Sequence, residues 1–174
     1  AGTVWAARHL GHAMPERVAG YDLAQELLRR APAEHRRVYF FGSAPGVAEK
    51  AKAKAEKIYP GIEIVGVRDG FFKEADNPAI IAEIKAARPD LLLVALGVPK
   101  QEKWIAAHLA ELGVPVAIGV GGTLDVMAGV MKRAPRWMQK AKLEWLFRGM
   151  LQPKRAGRLL ALPKFVLKVH ASRK

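Results

Sequence analysis

Two kinds of apolar pattern alternate along this chain. Short unbroken runs, VYFFG ending at Gly42, LLLVAL over residues 91–96 and VPVAIGV over 114–120, read as strands covered on both faces. Ile62, Ile64 and Val67 mark a further strand. Between these runs the apolar residues recur at three- and four-residue spacing. Leu23, Leu27 and Leu28 predict a helix over 21–30 with Asp22 near its start, and Trp104, Ile105, Leu109 and Leu112 one over 101–112. Residues 4–10 also read as helical, and an Ala/Lys/Glu-rich helix follows Gly46. In PAIIAEIKAARP, Asn77 is expected to cap a helix with Pro78 at its first position and Pro89 beyond its end; Gly113 closes the helix at 101–112. Strands alternating with such helices imply right-handed βαβ units. The fold class expected is therefore α/β, a Rossmann-like parallel sheet flanked by helices.

The special residues gather where strands should end. In LLLVALGVPKQEKW, Gly97 and Pro99 force a turn, and Lys100, Gln101 and Glu102 open a helix whose first N–H groups point back towards the strand end. Such an edge favours anions; Lys100 adds a charge and Gln101 a donor and an acceptor on one flexible arm. An ordinary turn with solvated polar residues is an equally good reading of this stretch alone. In GVGGTLDV, Gly119, Gly121 and Gly122 would let a ligand approach the backbone, and Asp125 is either a hydrogen-bond acceptor for a ribose diol or a residue favourable to a helix start. Two such loops after adjacent strands open on one edge, which favours a ligand site there. Gly42 and Gly46 bracket a third turn, without GxGxxG spacing.

Charge changes the picture at the C-terminal end. Residues 1–130 hold 16 Lys and Arg against 15 Asp and Glu, whereas residues 131–174 hold 13 against one, Glu144. The net charge of +13 is thus a property of the tail, and implies an anionic partner for it. Trp137, Trp145, Phe147, Leu151, Phe165 and Val166 interleave with those charges, which suits interfacial helices better than a nucleic-acid arm. One helix is expected over 137–151, interrupted by Pro153, and a second apolar segment over 155–169, broken by Pro163. The organisation expected is an α/β body over 1–130, its N-terminal part missing since the chain opens AGTVW, and a basic amphipathic helical appendage over 131–174. No run reaches the roughly 18 apolar residues of a membrane span. There is no cysteine and no DxD, and the histidines show no ligand spacing beyond the His9/His12 pair, so no bound metal is expected.

These blocks carry a resemblance. FFGSAPGVAEKA, GFF, ALGVPKQEKWI, IGVGGTLDVMAG and KRAPRWMQKAKLEWLFRGMLQPKR are similar to the WecG/TagA/CpsF family of bacterial glycosyltransferases over nearly the whole chain. The resemblance implies transfer of N-acetylmannosamine or a related sugar from UDP to an undecaprenyl-diphosphate-linked sugar, inverting and metal-independent, by an enzyme peripheral on the cytoplasmic membrane face. It implies a UDP-sugar donor, a polyprenyl-diphosphate-linked acceptor and an anionic membrane surface as partners, no nucleic acid and no cofactor, and leaves a homo-oligomer open.

Residue by residue, it implies that Gln101 and Arg17 lie near the donor as catalytic groups. Gly97, Pro99, Lys100, Gly121, Gly122 and Asp125 would line the substrate site, Asp125 near the nucleoside, and Arg148, Arg155 and Arg158 would meet the acceptor's diphosphate. The family's proposed general base, an aspartate in an Asp-Gly segment, and a threonine further upstream correspond to positions before Ala1. The chain as written is therefore expected to bind donor with little turnover. Two other classes remain open from the residues alone: a Rossmann-type oxidoreductase, which should show GxGxxG and an acidic residue about 20 positions on, and a basic nucleic-acid-binding module.

Overall fold

The run RVYFFG becomes strand β1 (Arg37–Gly42), with every residue after Arg37 buried, and it sits inside a four-stranded parallel sheet. A computed structural model describes residues 2–14, 19–135, 137, 138, 141, 147 and 161–172. They fall into two compact units: Ala19–Lys132, and Ala1–Val18 with Arg133–Lys174.

In the first unit α2 (Gly20–Arg30) leads to β1, α3 (Val47–Ile58), β2 (Glu63–Arg68), a 3-10 turn (Glu74–Asp76), α4 (Asn77–Ala87), β3 (Leu91–Ala95), α5 (Lys100–Leu112), β4 (Val116–Gly119) and α6 (Thr123–Ala128). The strand order is β2-β1-β3-β4, all pairs parallel, with Phe40 opposite Leu93 and Leu93 opposite Ile118. The chain leaves β1 in one direction and returns across it to β3, so right-handed crossovers put α3 on one face and α4 and α5 on the other.

Alternation along the central strands fills both cores. Val38, Phe40 and Leu93 face Ala48, Ala51, Leu28 and Leu124, while Tyr39, Phe41, Leu92 and Val94 face Ile80, Ile84 and Trp104. Phe40 and Phe41 are fully buried, each contributing about 1.5–3 kcal/mol. Alanines at the α3 contact let that helix lie close to the sheet.

Three expectations for this unit need correction. The run at 114–120 was expected to be a buried strand, but β4 is four residues long and Val116 is 46% exposed, because β4 is the edge of the sheet. Asn77 is no cap: it is already helical, and its Oδ1 accepts a 2.8 Å hydrogen bond from Trp104 Nε1. Leu109 is 41% exposed although it falls on the apolar spacing of α5.

In the second unit, α1 (Gly2–His9) meets the last helix, α7 (Ala161–Ala171). Trp5 stacks on His9 at 5.3 Å, and the His9 Nε2 to His170 Nδ1 distance is 2.8 Å, so one ring nitrogen donates to the other. Pro163 does not break the apolar segment there. It lies inside α7, which continues through it to Ala171, while residues 155–160 lie outside the described residues. Most of the helix expected over 137–151, and Pro153, lie outside the described residues.

Candidate functional site

Strand order reverses direction between β1 and β3, and the crevice beyond their carboxyl ends is where open α/β sheets hold ligands. The two strand ends touch. A Cβ on Gly42, at φ +122°, would lie 2.5 Å from the backbone of Ala95, so only glycine allows this approach. Ser43 then continues the link, its N–H donating to Ala95 O at 2.9 Å and its own carbonyl accepting from Gly70 N–H at 2.8 Å. Ser43 does so at φ +63°, a region side chains rarely enter.

Its side chain reaches the loop after β4. Ser43 Oγ donates to Asp125 Oδ2 at 3.2 Å, joining residues 82 positions apart. Asp125 lies in the first turn of α6, and its carbonyl accepts from Val130 and Met131 N–H, so its backbone is anchored while its carboxylate faces Ser43. Behind it Thr123 is buried and donates to Val120 O at 2.7 Å.

Gln101 sits between the loops after β3 and β4. It is 2% exposed; its Oε1 accepts from Gly97 N–H at 3.2 Å and from Gly121 N–H at 2.9 Å, while Nε2 donates to Glu102 Oε1 at 2.8 Å. The flexible polar arm expected from sequence is thus an internal brace, and two of the glycine N–H groups on this edge are engaged by it. Gly97, Pro99, Gln101, Gly121, Gly122 and Asp125 are brought to the same sheet end. Neither α3, entered through Gly46, nor α5, entered through Pro99, has its first turn capped by a side chain.

Lys100 turns to the other side of the α5 start. Its Nζ lies 4.2 Å from the centroid of the Phe72 ring, in cation–π contact. Phe72, Asn77, Lys100, Lys103, Trp104 and His108 line an open cavity of about 560 Å³ beside the edge. Arg17, Arg148, Arg155 and Arg158 lie outside the described residues. Among the described residues no group of three His, Asp or Glu is arranged to hold a metal ion.

A crevice at the switch point, lined by three glycine-bearing loops and holding one carboxylate, suits a nucleotide-linked substrate, and comparison with known proteins bears on which. The sequence profile described as the glycosyl transferase WecG/TagA/CpsF family matches residues 1–174. The chain belongs to the WecG/TagA/CpsF glycosyltransferase family. It is 38% identical over 168 residues to a Bacillus spizizenii protein named N-acetylglucosaminyldiphosphoundecaprenol N-acetyl-beta-D-mannosaminyltransferase. A Bacillus subtilis protein of the same name is likewise 38% identical, and a Staphylococcus aureus one 34%. Each match takes in 97% of this chain and 65% of the relative, so the chain spans just under two thirds of the curated relatives' length.

Within this WecG/TagA/CpsF chain, sequence reasoning missed two features of the edge. Ser43 was hidden inside GSAPG; the available signal was a serine directly after a strand-ending glycine. Phe71, 75% exposed, lies in the loop after β2, where Asp69 Oδ1 accepts its N–H at 2.8 Å and turns the chain; the available signal was the Asp-Gly pair before it.

Proposed function

We propose that this chain carries the donor-binding face of a glycosyltransferase that moves N-acetylmannosamine, or a related sugar, from UDP to a sugar on undecaprenyl diphosphate. The observation that carries the reading is the Ser43–Asp125 contact across the switch point, which sets a carboxylate against the loop that leads into the uncapped first turn of α3. The carboxylate suits a ribose diol, the helix starts suit a diphosphate, and the exposed Phe71 ring offers a face to a base. Membership of the family and likeness to the named mannosaminyltransferases support the sugar and the acceptor.

The reaction proposed is a single displacement. The acceptor hydroxyl oxygen attacks the anomeric carbon, the bond from that carbon to the UDP oxygen breaks with its electrons leaving on UDP, and a base takes the hydroxyl proton. One displacement inverts the carbon. Charge then grows on the departing diphosphate, where helix-start N–H groups and cations stabilise it most. In this reading Arg17 supplies a cation on the donor side, and Arg148, Arg155 and Arg158 meet the acceptor's diphosphate, so the step is proposed to run without a metal or a cofactor.

The tail would hold the protein reversibly on an anionic membrane surface. In support, residues 131–174 carry 13 basic residues against one acidic, and α7 exposes Phe165, Val166 and Leu167 alongside Lys168. No described helix is long and apolar enough to cross a bilayer. Calorimetry with UDP, and mass spectrometry of products from a panel of UDP-sugars with a polyprenyl-diphosphate-sugar acceptor, test the reading on this chain and on one extended upstream of Ala1. Absence of UDP binding by both folded chains would overturn it.

A further inference from the structure

We propose that Gln101 is a positioning residue, a clamp that fixes the loops after β3 and β4 to each other, and that Gly119 is the residue whose missing side chain gives the clamp its room. The inference rests on the donor-site reading above for its functional consequence, and on geometry alone for the clamp itself.

An amide side chain buried to 2% has to satisfy its polar atoms internally. An amide oxygen has two lone pairs, and here both are used, one by Gly97 N–H and one by Gly121 N–H. Gly97 is held twice, since its carbonyl also accepts from the backbone N–H of Gln101 at 2.9 Å. One Nε2 hydrogen goes to Glu102. The oxygen therefore has no capacity left for a substrate hydroxyl, and what the side chain determines is where two glycine loops stand. Both held residues are glycines in the left-handed region, Gly97 at φ +78° and Gly121 at φ +53°, so each loop has wide backbone freedom without the clamp.

Gly119 completes the arrangement from β4. A Cβ built there would lie 2.5 Å from Gln101 Nε2, 2.9 Å from Cδ and 3.0 Å from Cγ. Those are successive atoms of the arm rather than its far tip alone, so alanine at 119 forces the whole amide out. The three nearest atoms all belong to Gln101, which makes a strict expectation: Gly119 acts through Gln101. Downstream, the β4 loop that Gln101 holds at Gly121 carries Asp125 to its contact with Ser43.

The test uses the 174-residue chain and four variants: Gln101→Ala, Gln101→Met, Gly119→Ala and the double variant Gln101→Ala/Gly119→Ala. Hydrogen exchange of the Gly97 and Gly121 amides, followed by NMR, reads the clamp directly; UDP titration reads its consequence. Loss of the clamp bonds should speed exchange at Gly121 by about tenfold in Gln101→Ala and in Gly119→Ala. UDP affinity should fall by about tenfold in each single variant, and the double variant should be no weaker than Gln101→Ala alone. If Gln101→Ala fails to fold, Gln101→Met, which fills the space without hydrogen bonds, takes its place. Unchanged Gly121 exchange in a folded Gln101→Ala or Gln101→Met chain, or additive losses in the double variant, would overturn the clamp. Failure of the unaltered chain to bind UDP would instead overturn the donor reading, while the exchange data still decide the clamp.

Discussion

Ser43 and Asp125 meet across the end of the sheet, Oγ donating to Oδ2 at 3.2 Å, although Ser43 adopts φ +63° to do so. A non-glycine residue in that region costs about 1–2 kcal/mol, and the hydrogen bond returns about 0.5–1.5 kcal/mol. Two substitutions separate these terms. Ser43→Gly removes the strain together with the bond and should leave stability unchanged or raise it slightly, whereas Ser43→Ala keeps the strain and should lower it by about 1 kcal/mol. Denaturant unfolding of both checks the order; an Ala variant as stable as the Gly variant would contradict it.

If the carboxylate is what meets the ribose, its removal should weaken binding in addition to the roughly 1 kcal/mol of stability lost with the Ser43 hydrogen bond. Asp125→Ala is expected to weaken UDP binding by about tenfold, roughly 1.4 kcal/mol, with a smaller effect on inorganic diphosphate, which lacks the diol. Parallel calorimetry with the two ligands is the measurement. Equal losses for both would assign Asp125 to the diphosphate instead.

The periodicities that located the sheet were those of residues buried on both sides. Leu91 to Val94 and Val38 to Phe41 read as strands because central parallel strands are covered by helices on each face, and this is how they are built. The pattern failed at β4, where an edge strand is half solvated yet Val114 to Val120 is apolar anyway. In the site, glycines marked the loops correctly, because close strand ends such as Gly42 against Ala95 leave no room for a Cβ. The partners of those loops were not legible. Nothing local in PKQEKW says that Gln101 turns inward to Gly121, or that Ser43 and Asp125 become neighbours; both contacts exist only after β1, β3 and β4 line up. Asn77 was misread for the same reason, since a helix-start asparagine is ordinarily a cap until a tryptophan from α5 claims its oxygen.

Tyr39 should make the fold sensitive to alkali. It is 1% exposed, its hydroxyl donates to Glu83, and Glu83 also meets Arg68 at 2.5 Å. Burial first, and then the Glu83 carboxylate, hold the Tyr39 hydroxyl well above the usual tyrosine range. Because the folded value lies above the unfolded one, the contribution is complete below the ordinary tyrosine value of about 10 and is lost as pH rises past it. Melting temperature should therefore fall above about pH 10. Tyr59, raised mainly by burial, adds to the same slope. Tyr39→Phe should cost about 1 kcal/mol at neutral pH for the lost hydrogen bond but flatten the alkaline decline. An alkaline slope unchanged by Tyr39→Phe would place its origin elsewhere.

The last prediction concerns the membrane surface. Two features of the tail are separable by experiment: its charge, 13 basic residues against one acidic over residues 131–174, and the apolar side of α7, where Leu167 is 69% exposed and Phe165 and Val166 are each 38% exposed. Charge alone would give binding that rises steeply with anionic lipid and collapses with salt, since each basic residue near such a surface contributes about 1 kcal/mol. Insertion of apolar side chains would add a term that salt does not remove. The 174-residue chain should therefore sediment with vesicles containing phosphatidylserine far more than with pure phosphatidylcholine. Leu167→Glu should weaken that binding at every salt concentration, because it removes an exposed apolar group and adds a repelled charge. The triple change Arg148→Glu, Arg155→Glu and Arg158→Glu should weaken it most at low salt, and should lower acceptor use more than UDP affinity if those arginines also meet the acceptor's diphosphate. Val169, by contrast, is only 7% exposed, so Val169→Ala should disturb α7 packing with little direct effect on lipid affinity. Equal binding to neutral and anionic vesicles, or a triple variant that binds as well as the unaltered chain, would mean that the tail's charge serves some other partner.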